Sequence, residues 1–92
     1  MTRSCYLKVD GVVAVDGPCL VFPMGTDEYT LNTWDNGKPE HSHFAIVTKS
    51  ANGTAKATWN ADPNDDRAFD PLGDVRKVGE CWVNERAQIC AR

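Results

Sequence analysis

CYLKVDGVVAVDGPC, residues 5–19, is the stretch whose reading decides the fold. Asp10-Gly11 sits between alternating apolar and polar residues, the strongest short-range signal for a two-residue type I′ hairpin turn. With those residues as the turn, Val9 should face Val12, Leu7 should face Ala14, and Cys5 should face Asp16. One face then collects Leu7, Val9, Val12 and Ala14, which makes it core. Gly17-Pro18 should end the second strand, because proline cannot donate to a ladder and glycine permits a sharp redirection. Cys19-Leu20-Val21-Phe22 would open a third.

The same grammar continues along the chain. DEYTLNTW (27–34) alternates Tyr29 and Leu31 against Glu28 and Thr30, a further strand that the turn-formers Asp35 to Pro39 should close. In HFAIVTKSANGTAKATWNA (43–61), Asn52-Gly53 reads as a second two-residue turn. That register sets Ile46 opposite Trp59, Phe44 opposite Ala61 and Thr48 opposite Ala57 on the inner face. Val47, Lys49, Lys56 and Thr58 fall outside, with Lys49 directly across from Lys56. Asp62-Pro63-Asn64-Asp65 has the form of a helix start, with an Asp cap, Pro at the first helical position and acids in the first turn. GDVRKVGECWVNERAQIC (73–90) supplies the closing strands, near 74–78, 80–84 and 86–91. The expectation is a mainly β single domain over residues 1–92: a small antiparallel barrel or sandwich with at most one short helix.

A chain of 92 residues buries a thin core, and its four cysteines suit two disulfides in an oxidising compartment. Neither local pair is spaced C-x-x-C, which removes the main support for a thioredoxin-like motif or a zinc ribbon. If Glu85-Arg86 is a turn, Trp82 pairs with Ile89 and Cys81 lies opposite Cys90, within disulfide reach. Local pairing, Cys5 with Cys19 and Cys81 with Cys90, is favoured. Pairings that join the termini, Cys5 with Cys90 and Cys19 with Cys81 or Cys5 with Cys81 and Cys19 with Cys90, stay open at this level.

Thirteen acidic and ten basic residues are interspersed, with a net charge of −3, so no basic stripe is present to neutralise phosphates and nucleic acid is not an expected partner. No apolar run approaches the ~20 residues of a membrane-spanning helix. The first four residues, MTRS, lack an apolar h-region. They are expected to be disordered or an addition to a mature domain.

Candidate functional residues lie in the predicted loops 23–43 and 62–73, since binding residues concentrate on loops held by a rigid scaffold. His41 and His43 occupy alternate positions, a spacing that could place two imidazoles on one side for a metal or for acid–base work. A loop-edge pair beside Pro39 and Glu40 explains them more simply, and no metal or other cofactor is expected. Asp62, Asn64 and Asp66 imitate the opening of a calcium loop, but Arg67 stands where that loop requires glycine. Trp59 belongs to the core by register, whereas Trp34, beside a turn, is the best candidate for an exposed aromatic that stacks on a sugar or anchors a protein. Trp34, His41, His43 and Arg67 are the binding candidates. No catalytic residue is assigned.

Taken together, VDG (9–11), DGPC (16–19), WNAD (59–62), PLGDV (71–75) and CWVNERAQICA (81–91) resemble small exported, disulfide-containing proteins of alphaproteobacteria that have no established activity. The resemblance covers most of the chain and implies a periplasmic or secreted location. A looser similarity in size, β content and disulfide bonding links the chain to periplasmic lysozyme inhibitors, without a matching inhibitory loop motif. The expected function is a non-catalytic exported module that binds or inhibits a protein or a cell-wall glycan. The alternatives are a small hydrolase using His41 or His43, and a structural subunit of an assembly.

Overall fold

A computed structural model describes residues 2–33 and 37–92. Asp10 and Gly11 both take positive φ, 52° and 83°, as a type I′ turn requires. They join β1 (Thr2–Val9) to β2 (Val12–Gly25). Val9 does face Val12, but a bulge beside Leu7 shifts the rest of the ladder, so Leu7 pairs with Val15 and Cys5 with Gly17. Ala14 is the extra residue on β2, where a straight ladder had been expected. Leu7 and Val9 are buried as core, whereas Val12 is 67% exposed. That arm of β2 has β1 on one side and no strand on the other, so the core closes below it.

Gly17-Pro18 does not end the strand, and Cys19 to Phe22 continue β2 rather than opening another. The reason lies in the ladder. Ser4, the partner of Pro18, donates its N–H to Arg92 O (3.1 Å) and accepts from Arg92 N–H (2.9 Å). Ser4–Pro18 is therefore a non-hydrogen-bonded pair, and the proline nitrogen points to the open side of β2, where no donor is needed. β3 (Glu28–Leu31) pairs with β2 only from Val21 onward. Thr2, Arg3 and Ser4, expected to be a loose leader, pair with Leu20, Cys19 and Pro18.

The remaining strands are β4 (Ala45–Lys49), β5 (Thr54–Trp59), β6 (Asp70–Val78), β7 (Cys81–Val83) and β8 (Ala87–Ala91). Each is antiparallel to the next, and β8 returns to β1, closing an eight-stranded barrel with no helix among the described residues. The β4–β5 connection corrects the expected register. Asn52 and Gly53 take positive φ (64° and 73°), but Ser50 N–H donates to Thr54 O (2.9 Å), which makes the loop three residues long. Val47 then faces Ala57, Ala45 faces Trp59, and Thr48 faces Lys56. A one-residue slip inverts a strand's faces. Ala45 and Val47 are inside, Ile46 is on the outer face, and Trp59 is half-buried at the end of the core. Lys56 meets Asp74 at 2.9 Å and no longer faces Lys49. The interior of an eight-stranded barrel is just wide enough for side chains. Small Ala45, Ala55 and Ala57 accordingly pack with Leu7, Leu31, Val47, Val75, Trp82 and Ile89.

Asp62-Pro63-Asn64-Asp65 turns without starting a helix. Asp62 Oδ1 accepts from Asn64 N–H (2.9 Å), and Asp65 Oδ1 accepts from Arg67 N–H (3.0 Å). These side chains satisfy nearby amides in a non-helical backbone, the competition that makes Asp and Asn weak helix residues away from caps.

At the end of the chain, Cys81 faces Cys90 and Trp82 faces Ile89, as the spacing predicted. Both local disulfides form, with Cα separations of 5.9 Å for Cys5–Cys19 and 4.2 Å for Cys81–Cys90. β7 is short and pairs with β6 only over Arg76, Lys77 and Val78. Above that level one side chain bridges the gap. Asn84 Nδ2 donates to Leu72 O (2.8 Å) and Asp74 O (3.0 Å), while its Oδ1 accepts from the N–H groups of Arg86 and Ala87 (both 2.8 Å).

Candidate functional site

Antiparallel order sends the connections alternately to two ends of the barrel. Turn 10–11, residues 32–33 and 37–44, segment 60–69 and turn 84–86 share one end; turns 26–27, 50–53 and 79–80 share the other with Thr2 and Arg92. The predicted loop 23–43 is therefore divided, because Pro23 to Asp27 lie at the opposite end from His41.

The loop-bearing end is built around Asn60, which follows β5 and is fully buried. Its Oδ1 accepts from Phe44 N–H (2.6 Å), and its Nδ2 donates to Ser42 O (3.0 Å) and Asp65 O (2.9 Å). One amide thus ties both long segments together, and Asn32 Nδ2 adds a bond to His43 O (2.8 Å). The Lys38 side chain is only 5% exposed. Its ammonium donates to Pro63 O (2.7 Å) and Pro39 O (3.3 Å), with Asp66 at 4.0 Å. Those oxygens replace the water that a buried ammonium would otherwise lose at considerable cost.

His41 and His43 do not share a site. His41 Nδ1 is 2.8 Å from Asn64 Oδ1 and donates to it, closing one loop on the other. His43 Nδ1 donates to Asn60 O (2.9 Å), and its ring stacks on Trp59 with centroids 5.1 Å apart and planes 25° apart. A cavity of about 270 Å³ at this end is lined by Thr33, Gly37, Lys38, Phe44 and Asp66, and touches neither histidine. Arg67 lies over the ring of Phe69, 5.7 Å from its centroid, and Phe69 is 75% exposed. Trp34 falls outside the described residues. Asp62 and Asp65 serve backbone amides, and among the described residues no three His, Cys, Asp or Glu side chains gather as a metal cage.

The opposite mouth holds a cavity of about 260 Å³ whose apolar lining includes Val21, Pro23, Ala91 and Tyr29. Two ion pairs stand on its rim, Lys77–Asp27 at 3.0 Å and Arg92–Glu80 at 3.3 Å. The hydrogen bond from Lys77 holds the Asp27 carboxyl below its ordinary pKa. The Lys77 ammonium also lies 5.2 Å from the Trp82 ring centroid, and Trp82 Nε1 donates to Asp27 O (3.1 Å). Tyr29 hydroxyl donates to Ile89 O (3.4 Å); burial, with the Asp27 charge adding to it, pushes the phenol pKa well upward.

Sequence reading missed Asn60, Lys38 and Phe69. An asparagine after a strand and a lysine beside a proline carry no local mark of burial, since the bonds from Asn60 to Phe44 and from Lys38 to Pro63 span 16 and 25 residues. Comparison of the chain with family models, with curated proteins and with solved structures found no match.

Proposed function

We propose that this disulfide-bonded barrel is a non-catalytic binding or inhibitory module of the periplasm or cell exterior, and that it holds a protein partner at its loop-bearing end. The observation that carries the reading is the exposed Arg67–Phe69 pair on a loop fastened by Asn60 and Lys38. Arginine and aromatic side chains are prominent among the anchors of protein interfaces, and a loop already held in place loses little entropy on binding. A glycan partner is less well supported, because sugar rings stack on open aromatic faces. At the loop-bearing end Arg67 lies over one face of Phe69 and His43 covers a face of Trp59, and at the other end Trp82 is 2% exposed. The hydrolase alternative is weakened because His41 and His43 each commit Nδ1 to a different loop atom. Export is supported by the two disulfides, which persist in oxidising compartments.

The test is site-specific photocrosslinking in exporting cells, with the photoreactive residue at position 69 or, as a control at the other end, at position 51. The expected result is a discrete protein adduct from position 69 that Arg67→Ala removes and position 51 never forms. Equal labelling at the two positions, or co-sedimentation with purified cell-wall sacculi that Arg67→Ala leaves unchanged, would overturn the reading.

A further inference from the structure

We propose that the mouth opposite the loops binds a small zwitterion bearing an apolar side chain, of the α-amino acid or dipeptide class. Its cavity, about 260 Å³, is slightly smaller than the roughly 300–1,000 Å³ typical of small-molecule sites, and it combines an apolar lining with a few charged groups. Three basic and three acidic side chains line it: Lys77–Asp27 and Arg92–Glu80 stand as two ion pairs, Glu28 accepts from Lys49 N–H (2.7 Å), and Arg3 completes the balance. Asp27 comes from the β2–β3 turn and Lys77 from β6; Glu80 comes from the β6–β7 turn, and Arg92 follows β8. All four side chains are between 31% and 66% exposed, so each pair is hydrated and weakly held.

The arrangement selects for a ligand with both charges. A carboxylate that takes Lys77 or Arg92 would, by itself, strip a cation from Asp27 or Glu80. A lone ammonium would do the reverse. A molecule bringing one charge of each sign exchanges ion-pair partners and leaves none unpaired, whereas a singly charged ligand gains one ion pair only by breaking another. Its side chain is then left against Val21, Pro23, Ala91 and the Tyr29 ring. The receiving groups are held in place: Trp82 Nε1 fixes the Asp27 backbone, Lys77 rests over the Trp82 ring, and Arg92 is paired through its backbone with Ser4. Tyr29, a neutral phenol, contributes surface without adding charge. This site is separate from the Arg67–Phe69 loop, so either can fail without the other.

Trp82 is a built-in reporter, because its indole N–H bonds the backbone of one rim residue and its ring lies under another. The indole N–H resonance of the intact chain is followed by NMR during titration with leucine and with glycyl-leucine. The single-charge controls are 3-methylbutylamine and 4-methylpentanoate, and glycine is the control for the side chain. The expected result is a saturable shift with a dissociation constant of roughly 1 mM for at least one zwitterion, and binding at least about tenfold weaker for every control. The double variant Asp27→Asn with Glu80→Gln, accepted only if its amide spectrum shows the native fold, should reverse the preference toward 4-methylpentanoate. No saturable shift with leucine or glycyl-leucine, or a single-charge control binding as tightly, would overturn the proposal. The titrations of the unaltered protein decide it even if the variant does not fold.

Discussion

Replacing Asn60 by alanine should cost far more than an ordinary loop substitution. The side chain is fully buried and makes three hydrogen bonds, to Phe44 N–H, Ser42 O and Asp65 O. At about 0.5–1.5 kcal/mol net for each, the bonds contribute roughly 1.5–4.5 kcal/mol. Asp65 is exposed and Ser42 half-buried, so their carbonyls can turn to water. Phe44, 7% exposed, leaves its amide without a partner, which sets the expected loss at about 2–4 kcal/mol. For a domain of this size, ~3 kcal/mol lowers the melting temperature by roughly 12–24 °C. Urea unfolding should show a lower midpoint with an unchanged slope, and hydrogen exchange at the Phe44 amide should accelerate more than at the Leu7 and Val47 amides, which follow only the global loss. Asn60→Asp should be similarly destabilised at neutral pH, because a carboxylate would then face the carbonyls of Ser42 and Asp65. Partial recovery is expected as the carboxyl is protonated and regains a donor. A loss below about 1 kcal/mol for Asn60→Ala would refute the claim that this amide holds the two loops together.

Three further outcomes follow from the staples and the charges. In the chain-entropy account, removing Cys5–Cys19, 14 residues apart, should cost about 3 kcal/mol, and removing Cys81–Cys90, 9 apart, about 2.6 kcal/mol in denaturant midpoints. Alkylation followed by intact-mass measurement should find four thiols only after reduction. Hydrogen bonds from Arg86 to Asp10 and from Lys77 to Asp27 lower both carboxyl pKa values below the ordinary 3.8 in the folded protein. On acidification the unfolded chain therefore takes up these protons first. The stability they supply is present above about pH 3.8 and is lost as pH falls through the lower folded values. Asp10→Asn should flatten the decline of the urea midpoint in that window; an unchanged decline would show that the Arg86 pair contributes nothing.

The parts of the fold that local chemistry specifies were legible. Asp10-Gly11 demanded positive φ at two successive residues, and the turn formed. The Cys81–Cys90 register followed from strand spacing around one short turn. Asn52-Gly53 carries the same mark, yet it sits in a three-residue loop and the faces of β4 invert. Turn residues permit more than one loop length, and the choice rests with which of Ile46 or Val47 packs better against the rest of the barrel. The site was less legible than the fold. His41, His43 and Arg67 were found as loop residues, but their roles depend on Asn64, Asn60, Trp59 and Phe69.

By itself the sequence determined that this is an antiparallel β domain with an Asp10-Gly11 hairpin, and it favoured the local cysteine pairs, because turn geometry and alternation are properties of short segments. Only the tertiary structure decided the rest. β2 runs on through Pro18 because the neighbouring strand starts lower, Asn84 bridges β6 to the β7–β8 turn because β7 is short, and Asp62 makes a turn where a helix was expected. The rim pairs Lys77–Asp27 and Arg92–Glu80 join residues from different turns and strands. Each of these outcomes depends on what lies across a gap in space, and that neighbour is set only when the barrel closes.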